Sequence, residues 1–456
     1  MIGTGEDGLQ LLDAPERKLK RLTTPERTKE ASHVLPWFLP GGKSLLFTVK
    51  PHLWGTHSRI EVLSLDTGRR KVLIEDGADA RFVPTGHVVY LSEGTLMAWP
   101  FDTTKMEIRG QATPLIQGIM QSLNALSSGD NSGAGQFVVS GNGTLVYASG
   151  GIFPDIETHL SWVDRSGRIE LVTQLDKKPI ITVRLSPDGR YLAYRTTGKV
   201  AEVWVLDLVL GTTRRITSEG RAMHLCWTHD GTGLSFAYSK AGDPKIFWKA
   251  ADGSGPMEPE PLVAGDNTLQ PSCWSWDGKL LVFVESNPAS KYNIWVYRKE
   301  ERQKSPLFNA DYNEEYPALS PDGRWLAYCS DGTGRHEVHV TSMTNPAKGT
   351  PITSDGGLAP LWAPDNRTIY YWNQDWTKLM AMEITVEPNI SVGKPHQLFQ
   401  FPTGSVSWVR SYDISADGSK FLIPGRAEIK PVEIIRLNLV QNWFEELKQK
   451  VPTGKK

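Results

Sequence analysis

Short apolar alternations of about four to eight residues, punctuated by turn residues, run along nearly the whole chain, and helical spacing is confined to its carboxy end. The clearest unit is Leu319–Tyr328, Leu-Ser-Pro-Asp-Gly-Arg-Trp-Leu-Ala-Tyr. A strand ends at Leu319, Ser320-Pro321-Asp322-Gly323 reverses the chain, and Trp325–Tyr328 begins a second strand. Pro321 pre-sets the φ of the turn, Asp322 can accept the backbone N–H groups that follow it, and Gly323 takes a positive φ without a Cβ clash. Aligned copies place the turn residue at Gly42, Gly86, Gly143, Gly189, Gly231, Gly278, Gly323, Asn366 and Gly418, in steps of 44, 57, 46, 42, 47, 45, 43 and 52 residues.

A period of this size with strand-like alternation predicts one four-stranded propeller blade per repeat. The fold class is therefore all-β: a single β-propeller, nine blades by repeat count with eight as the alternative. Repeats span 32–437 of one domain over 1–456. The last copy offers Val432–Leu437 as its third strand and lacks a fourth. Residues 18–23 are expected to supply it, so that strands from the two ends close the ring and leave no free sheet edge. Residues 438–456 read as a short helix and tail, with a capping-box-like start at Asn442–Glu445, and Trp443 and Leu447 on one face. The Gly/Ser/Asn/Asp-rich stretch Gly129–Gly135 reads as a mobile loop.

Composition adds limits. Lys+Arg 50 against Asp+Glu 51 gives no global field toward nucleic acid or anionic lipid. Sixteen Trp suit sheets wedged apart by large side chains. Three cysteines, Cys226, Cys273 and Cys329, are too few for a disulfide scaffold, so a reducing compartment is tolerable. The amino terminus lacks the basic and apolar regions of a signal peptide, and no apolar run reaches transmembrane length. A cytoplasmic monomer is expected, without nucleic-acid or membrane partners.

In a propeller the first strand of each blade lines the central channel, so ligand groups should stand just before each repeated phrase. Two sets of positions, one and three residues before the large apolar anchor, share a face if alternation holds. Their polar members are Asp79, Arg81, Gln136, Arg184, His224 and Asp413, joined at the mouth by His33, Asn313, Glu314, Glu315 and Arg410. Carboxylates, guanidiniums and a histidine in one channel fit an anionic or polar ligand, and Asp79, Glu315 and Asp413 fit a hard cation such as Ca²⁺. The alternative is that these groups pair with one another across a water-filled channel. His336-Glu337-Val338-His339 resembles a metal motif, but on a strand its histidines face opposite ways, and a solvated strand is expected. Cys226 and Cys273 read as small buried side chains in equivalent positions.

With "LSPDGRYLAY", "SWDGKLLVF", "LSPDGRWLAY" and the strand-four tail Arg214-Arg215-Ile216-Thr217, the chain resembles the TolB-like, WD-repeat-like β-propeller family. It is most similar to the propeller region carboxy-terminal to bacterial serine/threonine kinases, to which "GTLMAWPFD" and "NWFEELKQKVPTGK" conform. The resemblance implies binding of a protein or small molecule, sometimes with a cation in the channel. Kinase motifs are absent, which suggests a fragment of a longer protein with an upstream domain. Two functions follow as expectations. One is a non-catalytic binding or scaffold module that recognises a protein or small polar ligand at the channel mouth. The other is a Ca²⁺-dependent lactone or ester hydrolase, with Asp79 or His224 as base.

Overall fold

The computed structural model describes residues 2–4, 8–13, 18–26, 30–51, 58–123, 132–153, 158–172, 180–196, 201–218, 221–240, 245–287, 291–308, 310–346, 349–401, 410–426, 434 and 436–453. Strands rich in Val, Ile, Leu, Tyr and Trp dominate it, and the helix among the described residues is Trp443–Lys450. The chain divides into two compact units, Met1–Ile156 with Glu428–Lys456, and Glu157–Ala427.

In the first unit Glu30–Phe38 opens a four-stranded sheet that runs to Arg70–Ile74, and Ala78–Val83 opens the next. These two share a core that includes Leu46, Ile60, Val88 and Tyr90. Phe137–Val139 and Leu145–Ala148 form a third sheet, completed by Leu437–Val440. Trp443 and Leu447 are buried against its core, as the helical spacing predicts. The capping box does not form: Asn442 sits at φ 54° and makes no side-chain cap hydrogen bond.

The second unit holds six of the nine phrases in six sheets among the described residues. Five run in chain order, opened by Ile180–Leu185, Arg221–Trp227, Thr268–Trp274, Glu314–Leu319 and Leu358–Trp362. The sixth joins Asp413–Ile414 and Lys420–Arg426 to Thr158–Asp164 and Ile169–Leu171. Each sheet shares an apolar cluster with the next, and Leu160 and Leu422 of the sixth pack with Val183 and Leu192 of the first. The six therefore return on themselves.

This corrects the expected ring closure. Residues 18–23 do not complete the last sheet: Lys18–Arg21 pairs antiparallel with Gly8–Asp13. Thr158–Asp164, which follows the third phrase in sequence, takes the place beside Lys420–Arg426. Closure by strands from both ends of a ring still leaves no free edge, but the ring is the second unit, without the first three repeats. Of the segment expected as the third strand, Val432, Glu433 and Ile435 lie outside the described residues, and Leu437 belongs to the first unit.

The phrase also ties neighbouring sheets together. In the Leu319–Tyr328 copy, Ser320 Oγ donates to Asp322 Oδ1 at 2.6 Å and accepts the Trp325 N–H at 3.0 Å, while Asp322 Oδ1 accepts the Arg324 N–H at 3.1 Å. In the second unit each turn glycine then lies beside the preceding turn. A Cβ on Gly231 would meet Pro187 at 3.6 Å, on Gly278 His229 at 3.7 Å, on Gly323 Trp276 at 2.6 Å, on Gly418 Pro364 at 3.3 Å and on Gly189 Ala416 at 3.5 Å. At the remaining step the Asp322 N–H donates to Asn366 Oδ1 at 3.3 Å. The turns close the same circle as the sheets.

Candidate functional site

The innermost strands carry a repeated irregularity. Register shifts fall between Ala78 and Arg81, Ile180 and Thr182, Met223 and Leu225, Pro271 and Cys273, Glu315 and Ala318, and Leu358 and Leu361. Asp79, His224, Tyr316 and Ala359 accordingly have φ of 54°, 40°, 53° and 48°. Such a bulge re-aims side chains, so strict alternation does not hold between the two sets of candidate positions.

In the first unit the bulge turns Asp79 onto Arg81. Arg81 Nε donates to Asp79 Oδ1 at 3.1 Å and its Nη2 to Oδ2 at 3.0 Å, and the Gly135 N–H donates to Oδ2 at 2.9 Å. Arg81 also donates to the Phe137 carbonyl at 2.5 Å and lies over the Phe137 ring, 3.9 Å from its centroid. Both carboxylate oxygens are thus engaged. Gln136 is exposed. His33 is buried apart from this pair, within 2.8 Å of Thr23 Oγ1 and 2.9 Å of Glu30 Oε2. Glu30 and Glu61 are bridged there by Arg59 and Arg70. Burial alone would raise the Glu30 pKa, but its hydrogen bonds from His33 and Arg70 hold it well below the usual carboxylate range. Of Gly129–Gly135, residues 129–131 lie outside the described residues.

The second unit gathers cations. Arg184 is 8% exposed. Its Nη1 donates to the carbonyls of Val183 at 2.6 Å and Arg410 at 2.8 Å. The carbonyl of Arg184 accepts from Trp227 Nε1 at 2.9 Å. Asp413 spends its oxygens on backbone: Oδ2 accepts the Leu185 N–H at 2.9 Å and Oδ1 its neighbour Ile414 N–H at 3.0 Å. Burial and then Arg410 lower the Arg184 pKa to about 9, against the pull of Asp413, so the guanidinium keeps its charge at neutral pH. Arg195, opposite Thr182 in the ladder, is lowered to about 10 by burial and by Arg221. His224 is pushed down to about 3 by burial, then by Arg195 and Arg184. It is neutral at pH 7 and a weak base.

Cys226 and Cys273 are thiols whose pKa burial pushes up, although Arg184 and Arg410 act on both in the opposite sense. Tyr412 is fully buried in the core that holds Cys329 and donates to the Ala359 carbonyl at 2.8 Å. Glu315 stands 3.2 Å from His336 Nε2, which raises the His336 pKa, and Asn313 is held by Asp331 through two hydrogen bonds of 2.7 Å. Glu314 is 2% exposed, its Oε2 has no hydrogen-bond partner, and burial raises its pKa to about 7. His339 is buried and stacks on Tyr328, with centroids 5.4 Å apart, so the expected solvated strand is a buried one. His336 and His339 have separate partners, as opposite faces require.

The residues present do not fit a calcium site. Asp79 is taken by Arg81, Glu315 faces His336, and Asp413 caps backbone. Among the described residues no three His, Cys, Asp or Glu side chains are grouped to hold a metal ion.

Arg195 and Arg221 were not among the sequence candidates, because Arg195 stands on a second strand and Arg221 precedes the positions considered. Arg195 carried a signal nonetheless: in "YLAYRT" it occupies the place that buried Cys329 holds in "WLAYCS".

Four-stranded antiparallel sheets that circle back on themselves around their first strands define a β-propeller. A family model described as the TolB beta propeller domain matches residues 154–403, and the chain belongs to that family. A putative TolB from Agrobacterium tumefaciens is similar in structure, with 17% identity and a TM-score of 0.51, covering 60% of this chain and 99% of that one. TolB from Acinetobacter baumannii aligns at 15% identity with a TM-score of 0.40, covering 76% and 79%. An "uncharacterized peptidase YuxL" of Bacillus subtilis (strain 168) is 32% identical over 79 residues, which are 17% of this chain and 12% of that protein. No helix among the described residues is long and apolar enough to cross a membrane.

Proposed function

We propose that the chain is a non-catalytic recognition module, which binds a protein or a small polar ligand at the inner face of its propeller. The observation that carries this reading is the state of the candidate bases. Asp79 is locked to Arg81 and the Gly135 N–H, and His224 is held neutral and weakly basic among arginines. The one is engaged as an ion-pair acceptor and the other is a poor proton acceptor, so neither is placed to move a proton. Resemblance to kinase-linked propellers supports a sensor attached to an upstream domain. The free thiols suit a reducing compartment such as the cytoplasm.

The second reading, a hydrolase of esters or lactones, draws on the short match to a protein named as a peptidase. The test is turnover of aryl esters, lactones and peptide amides by the whole chain, with Ca²⁺ and with EDTA. The binding module predicts no rate above the blank in either condition. Turnover that Asp79→Asn or His224→Gln abolishes, in protein that melts as the parent does, would overturn it.

A further inference from the structure

Burying a cation without an anionic partner is costly, and native proteins seldom leave one so. Arg184 is such a case. Its described hydrogen bonds go to two carbonyls, and its Nε has no partner. The buried Nε atoms of Arg410 and Arg195 also lack partners, and among the described residues none of the three arginines forms an ion pair. Asp413, the carboxylate that acts on Arg184, is turned to the Leu185 and Ile414 N–H groups. Against Arg184, Arg410 and Arg195 stands the one carboxylate Asp413, and Arg221, which acts on Arg195, adds a further cation, so positive charge is in excess.

These groups neighbour one another inside the second unit. Arg184 touches the Arg410 carbonyl, and both arginines act on Cys226 and Cys273, from two further strands, and on Tyr412, two residues from Arg410. His224 lies under the influence of Arg195 and Arg184 together, which links the third guanidinium to the first two. Guanidinium forks match the oxygens of phosphate and carboxylate, and in a site with little water such contacts are stronger than at a surface.

We propose that the inner face of the six-sheet ring binds a doubly charged oxyanion, with Arg184 and Arg410 as its donors and Arg195 as the third cation. The ligand class is a phosphoryl-type group or a paired carboxylate. Both bring two negative charges to the excess of guanidiniums, and both offer several acceptor oxygens to Nε and Nη atoms. The neutral thiols and Tyr412 form the uncharged part of the wall, so specificity comes from the arginines. This rests on the binding-module reading and says what the module would hold.

The experiment is thermal unfolding of the whole chain against increasing inorganic phosphate, and in parallel succinate, with sodium chloride at matched ionic strength. A ligand that binds the native state raises Tm in a saturable way. The proposal expects a saturable rise of several degrees with at least one dianion, and none with chloride. A larger effect of phosphate assigns a phosphoryl group, and a larger effect of succinate a dicarboxylate. Arg184→Gln and Arg410→Gln should each weaken binding at least tenfold. Should either fail to fold, Arg195→Gln should weaken binding several-fold, and Asp413→Asn, which removes the opposing charge, should tighten it. No rise beyond chloride, or equal affinity in the parent, Arg195→Gln and Asp413→Asn, overturns the site. Failure here leaves the binding-module reading to the turnover test, since this assay reads occupancy alone.

Discussion

Phe421 meets Tyr370 edge to face, with ring centroids 4.8 Å apart. The contact joins the sheet assembled from residues 158–171 and 413–426 to the sheet before it, and Phe399 packs on the same ring at 5.7 Å. Phe421 is fully buried. Phe421→Ala should therefore cost about 3–5 kcal/mol, read from urea unfolding. A loss below about 1 kcal/mol would mean that this seam does not hold the ring.

The turn circle makes a second prediction. Gly323 has φ 70°, and a Cβ there would lie 2.6 Å from Trp276, whose side chain is otherwise 66% exposed. Gly42 has φ 68° with nothing within 4 Å of its would-be Cβ. Both substitutions to Ala carry backbone strain of about 1 kcal/mol, but Gly323→Ala must also displace an indole. It should be the more destabilising by roughly 1 kcal/mol, and Trp276→Ala should recover the difference in a double-mutant cycle. Equal effects at the two glycines would show that the turns do not touch.

Glu314 gives a pH dependence. Its carboxyl titrates near 7 when folded, raised by burial from an ordinary 4.5. Between those values the native protein holds a proton that the unfolded chain has released, so this group's contribution to stability falls as pH rises through the window. The loss between pH 5 and 8 should be roughly 1–3 kcal/mol. Glu314→Gln should flatten that part of the profile and stabilise the protein at pH 8. A variant that loses stability equally at pH 5 and 8 would contradict a buried carboxyl whose pKa is raised.

Much of the fold was legible because turns repeat. A tight turn that ends on a positive-φ residue recurs in every repeat, so nine copies exposed both the strand pairs and their spacing. Ring closure was not legible, because hairpin partners are local while a closing strand is set by packing across the ring. Thr158–Asp164 reads equally well beside Leu145–Ala148 or beside Lys420–Arg426. At the inner face, position picked out Arg184, His224 and Asp413, but the bulge at residues such as Asp79 and His224 removed the alternation on which their grouping relied. Asp79 found its partner two residues away in Arg81. Arg195 escaped because it lies on a second strand, brought to the inner face by the register rather than by any motif.

The most direct test of the central claim is hydrogen exchange on the whole chain, read by peptide mass spectrometry under increasing urea. The ladder from Thr158–Asp164 to Lys420–Arg426 makes these strands one cooperative element with the other five sheets of the second unit. Residues 158–164 and 420–426 should lose protection together, at the same urea concentration as 180–185 and 358–362, and Phe421→Ala should lower all of them alike. Opening of 158–164 in step with 145–148 while 420–426 stays protected would contradict the closed six-sheet ring.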